Sequence, residues 1–134
     1  MKHLVCTSLC FLIPAIKGFL KGRKTMPVLN MCTAVASANF WRHPEDGVRY
    51  KADIIIARTN FLIHQYFLIR YFSVPNLILD VAVAGAFLKS REGGNHWDKW
   101  HVLFHLLSVT STTRLLHHHT PRTYQPARHA PSPA

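Results

Sequence analysis

Acidic side chains are scarce: six Asp and Glu stand against 16 Lys and Arg, a net charge of +10 in 134 residues. That balance alone invites a nucleic-acid partner. A nucleic-acid binder, however, gathers its cations on one soluble face, whereas here they lie between apolar blocks, as loop markers and lipid-headgroup anchors do. Nucleic acid is therefore not expected as a partner. Cysteine is scarce too. Cys6, Cys10 and Cys32 are odd in number, sit in apolar segments and lack C-x-x-C spacing, which excludes a disulfide framework and a zinc ribbon. No internal repeat and no N-x-S/T site occurs. Also missing are amphipathic helices that could cover a soluble core.

What the chain does have is apolar sequence, 49% of it. Five blocks emerge: Leu4 to Leu20, Met26 to Trp41, Ala52 to Ile69, Phe72 to Leu88 and Trp100 to Leu116. Each is about 16 to 18 residues, or roughly 24 to 27 Å of helix, at the short end of what crosses a bilayer. Connectors are short and polar, and Pro44, Gly47, Gly93 and Gly94 break the helices at two of them. The pattern predicts an all-α polytopic transmembrane bundle of four to five short spans over residues 1 to 116. A basic, proline-rich tail over residues 117 to 134 is expected to be disordered. The first block, interrupted by Pro14 and Lys17, reads as a short span or a signal anchor. Threading the spans puts seven basic residues on one side and eight on the other, which favours no orientation.

Threading also sets parity. The end of block two, the start of block three and the start of block five share one membrane face, so His43, Asp53, His101 and His105 converge there. His101 and His105 are four apart and leave the same side of a helix. Three imidazoles with one open position suit zinc, whose bound water loses a proton near neutral pH, and Asp53 adds a carboxylate beside them.

The carriers of this pattern are SANFWRH at 37 to 43, KADIIIA at 51 to 57 and DKWHVLFHLLS at 98 to 108. In these stretches the chain resembles the membrane hydrolases that include alkaline ceramidases and adiponectin-type receptors. The resemblance implies zinc held by His43, His101 and His105, Asp53 at the metal-bound water, and hydrolysis of a lipid amide or ester. The chain departs from that family in two ways. Asn39 stands where a supporting serine is expected, Ser37 lying six residues before His43, and two apolar blocks separate Asp53 from His101 where the family has four.

A plainer reading stands beside it. His96, Trp97, Trp100 and His101 also compose an interfacial aromatic belt, and His43 before Pro44 also simply ends a helix among headgroups. On that reading the protein is a non-catalytic membrane subunit or scaffold, partnered by the bilayer and by another membrane protein or a second copy of itself, and whether the chain is an enzyme stays open. Within the spans, matched depth pairs Arg58 with Asp80 and His64 with Asn76. Ala34 with Ala38, and Ala82 with Ala86, have the spacing of close helix packing. A conduit for ions or protons through Arg58, Asp80 and His64 is the third reading.

Overall fold

The structure, a computed structural model, describes residues 1 to 118; the expectation of disorder beyond His118 lies outside the described residues. Among the described residues every regular element is a helix: α1 (Lys2–Leu9), α2 (Leu12–Leu20), α3 (Thr25–Arg42), α4 (Val48–Arg70), α5 (Val74–Arg91) and α6 (Trp97–His118). Each predicted block is helical, and α6 takes in residues 117 and 118, which the sequence reading had assigned to the tail.

The first block is two helices, and Pro14 accounts for the break. A proline ring clashes with the carbonyl four residues earlier, here that of Cys10, and cannot donate a helical hydrogen bond. The backbone tightens there into shorter bonds, Phe11 N–H to Ser8 O and Ile13 N–H to Cys10 O, before α2 resumes with Pro14 in its first turn. Farther on, Gly93 and Gly94 both take positive φ, 73° and 89°, turning α5 into α6 where a side chain would be strained.

Helices α1 and α2 run on in one direction, and α3, α4, α5 and α6 then alternate. At one end Trp41 of α3 lies 6.0 Å from Trp97 of α6 between ring centroids, and His3 of α1 lies 3.3 Å from Asp98. At the other end Lys21 Nζ donates to Leu116 O. Helix α3 packs on α4 and on α1 and α2, α6 packs on α1 and α2, and α5 is held chiefly by α6. Helices α2 and α3 approach closely where Gly18 faces the Pro27 ring with no room for a methyl group.

Polar residues share the interior with an apolar core that includes Leu4, Phe11, Ala34, Val109 and Leu115, while many large apolar side chains are exposed. Asn30 and Asn76 are fully buried, together with Ser8 and Ser111. Val48, Leu20 and Ile69 are 85%, 83% and 77% exposed. The periodicity shows how: α5 turns Asn76, Val83, Ala86 and Ser90 inward while Leu77, Ile78, Val81 and Leu88 face out. Ala34 and Ala38 are buried, consistent with close packing, as is Ala86; Ala82 is exposed.

Candidate functional site

Helix α6 does bring His101 and His105 together. Their ring centroids are 4.7 Å apart at an interplanar angle of 70°. Aromatic rings enclose them, with Trp41 at 5.0 Å from His101 and Phe11 at 5.7 Å from His105. His105 is 3% exposed, and its Nδ1 lies 3.1 Å from Thr7 Oγ1 of α1, which gives the buried ring a hydrogen-bond partner.

The third predicted ligand is His43. His43 ends α3 in an exposed turn, where its carbonyl accepts from Glu45 N–H, and it borders a shallow groove with Glu45, Asp46 and Arg49. Among the described residues no group of three or more His, Cys, Asp or Glu is placed to hold a metal ion. Asp53 has a different partner: Ser37 Oγ donates to its Oδ1 at 2.5 Å, joining α3 to α4. The serine that seemed misplaced relative to His43 is thus one that meets the aspartate.

Deeper in the bundle lies a polar cluster with its own cavity of about 80 Å³. Asn60 Nδ2 donates to Thr33 Oγ1 at 3.0 Å and to Asn30 Oδ1 at 3.4 Å. His64 Nε2 sits 3.4 Å from Asp80 Oδ1 and 3.2 Å from Ser111 Oγ, and its Nδ1 sits 3.5 Å from Thr112 Oγ1. Gln65 Nε2 donates to Asp80 Oδ2 at 2.8 Å. Side chains from α3, α4, α5 and α6 therefore converge on one pocket, which His105 also lines.

Two expected pairs are corrected. Arg58 does not meet Asp80; it is exposed and belongs to none of the ion pairs among the described residues. Arg58 precedes His64 and Gln65, the residues that reach Asp80, by six and seven positions, so it lies nearly two turns away along α4. His64 does not bond Asn76 either. Ser111 and Thr112 engage it from α6, and Asp80, one turn along from Asn76, takes the position on α5. Among the described residues the side-chain amide of Asn76 has no hydrogen-bond partner.

Sequence reasoning missed Gln65, Asn60, Ser111 and Thr112. The signal was there: Asn30, Thr33 and Ser37, then Asn60 and His64, then Ser108, Ser111 and Thr112, recur at three- and four-residue spacing inside apolar blocks. By length and composition, one helical stretch among the described residues, Lys2–Leu20, is long and apolar enough to cross a membrane. No family model, no curated protein and no solved structure matches the chain.

Proposed function

We propose that this chain is a small integral membrane protein, a non-catalytic subunit or scaffold whose helices pack through polar interior faces and turn apolar faces to lipid and to a membrane partner. The combination of buried polar side chains and exposed apolar rows carries this reading. Soluble domains rarely bury asparagine completely while leaving rows of leucine, isoleucine and valine in water, and an apolar surface of this extent marks contact with a membrane or another protein. Interhelical hydrogen bonds such as Asn60 to Thr33 suit a bundle in lipid, where each contributes about 0.6 to 2 kcal/mol and fixes register. Helices α3 to α6 owe their low apolar content partly to these inward polar faces. Arg58 is exposed on α4, where a long stem can carry its charge toward the headgroups.

The test is extraction. The full chain should stay with the membrane pellet in alkaline carbonate and leave it in detergent. Release by carbonate alone contradicts the proposal.

A second reading, a zinc-dependent hydrolase of lipid amides or esters, is favoured by one observation, the adjacency of His101 and His105. It requires His43 to swing inward from its exposed turn, with Asp53 serving the bound water.

A further inference from the structure

The two ends of the bundle differ in charge. The end that holds Trp41 and Trp97 carries seven Lys and Arg against five carboxylates, Glu45, Asp46, Asp53, Glu92 and Asp98, and pairs form there, Lys89 with Glu92 at 2.8 Å and His3 with Asp98 at 3.3 Å. The opposite end carries Lys17, Lys21, Arg23, Lys24, Arg70 and Arg114, and no carboxylate among the described residues. The nearest one, Asp80, lies nearly two turns into α5 and is taken by His64 and Gln65. Lys and Arg alone are almost evenly divided between the ends; the carboxylates are not. None of the six cations makes an ion pair among the described residues, and Lys17, Lys24, Arg70 and Arg114 are exposed.

Helix electrostatics account for part of this set. Lys17 and Arg70 occupy the last turns of α2 and α4, where a cation meets the negative end of a helix. Lys24 does the reverse: it caps α3 at its positive end, and no acidic residue follows in the first turn. The turn that carries it is closed. Gly22, at φ 71°, lets Arg23 N–H reach Gly18 O at 3.0 Å while its own N–H reaches Phe19 O at 2.9 Å, and Lys21 Nζ crosses to Leu116 O at 3.5 Å. Three cations in four residues are thus held in a fixed turn with no carboxylate beside them. We propose that this end of the bundle binds the phosphates of anionic phospholipid headgroups, through Lys21, Arg23 and Lys24 with Arg70 and Arg114 beside them. Arginine offers a phosphate paired donors, and lysine a point charge. Leu20, Phe72 and Val74 at the same end are 83%, 64% and 59% exposed, an apolar collar that suits a lipid surface and not a nucleic acid.

This inference rests on the membrane reading, and its test separates the two. Full-length protein without its own cysteines, carrying a fluorophore at Phe72→Cys or at Asn95→Cys, is reconstituted in phosphatidylcholine vesicles. Spin-labelled phosphatidylglycerol or spin-labelled phosphatidylcholine is the quencher. At Phe72→Cys the anionic lipid should quench more strongly, and at Asn95→Cys the two should quench alike, a contrast that needs no charge variant. Arg23→Gln and Lys24→Gln should each lower the preference at Phe72→Cys up to about fivefold. Salt at about 1 M should erase it. Equal quenching by both lipids at Phe72→Cys overturns the proposal, as does an equal preference at both labels or one that survives Arg23→Gln and Lys24→Gln together. Loss of the preference in sodium phosphate but not in sodium chloride of the same ionic strength would assign the turn to free phosphate and overturn the lipid assignment. If phosphatidylcholine quenches neither label, neither end lies at a bilayer and the membrane reading itself fails.

Discussion

Asp80 of α5 is held between two residues adjacent on α4, His64 at 3.4 Å through Oδ1 and Gln65 at 2.8 Å through Oδ2. Each side chain answers a need of the other: the carboxylate fixes the imidazole tautomer, and the imidazole supplies a donor to a carboxylate shielded from water. Because α5 otherwise leans on α6, these bonds are its main polar tie to α4. A double-mutant cycle on His64→Leu and Asp80→Leu should therefore give a coupling of about 0.5 to 3 kcal/mol in thermal or denaturant unfolding in detergent. Additivity within error would mean that the pair does not act as a unit. Arg58→Leu should behave differently, leaving stability unchanged or raised, since it removes an exposed cation that makes no ion pair.

The five helical blocks were legible because apolar runs bounded by Pro44, Gly47, Gly93 and Gly94 leave little freedom in placing helix ends. Parity was legible for the same reason, and Trp41 does meet Trp97. The partners of Asp80 were not. Depth was counted from the block ends, which set Arg58 level with Asp80, whereas the residues that meet it are His64 and Gln65, nearly two turns farther along α4. The α3 helix ends at Arg42, and beyond that point no helical phase fixes where His43 points. The break at Cys10 was signalled by Pro14, but its effect on the preceding turn was not drawn.

Gly18 allows α2 to lie against Pro27 of α3. Gly18→Ala should destabilise the protein by about 1 to 3 kcal/mol, the usual range for an overpacked contact. Pro27→Ala should restore most of that loss in the double variant. A loss that persists in the double variant would place the effect in α2 itself.

Ser37→Ala leaves Asp53 without its hydroxyl donor between α3 and α4. The expected cost is about 1 to 2 kcal/mol in unfolding experiments, because a hydrogen bond to a charged group is lost at a partly buried position. Ser37→Thr, which keeps the hydroxyl, should recover stability, and failure of that rescue would make the bond incidental.

Metal analysis separates the two functional readings. The subunit reading predicts no stoichiometric zinc in protein purified with His117 to His119 deleted, so that the histidine run cannot bind metal adventitiously. The hydrolase reading predicts close to one zinc per chain, lost in His43→Ala, His101→Ala and His105→Ala and largely retained in Asp53→Asn.

The account stands most directly on the direction in which each helix crosses. Single cysteines at Asp46, Asn95, Lys24 and Phe72, in a background without Cys6, Cys10 and Cys32, can be labelled in sealed vesicles with a membrane-impermeant maleimide. All four positions are exposed. Asp46→Cys and Asn95→Cys should label from one side, and Lys24→Cys and Phe72→Cys from the other. Labelling of all four from the same side, or of Asp46→Cys and Asn95→Cys from opposite sides, would contradict a bundle whose helices cross the bilayer in alternation.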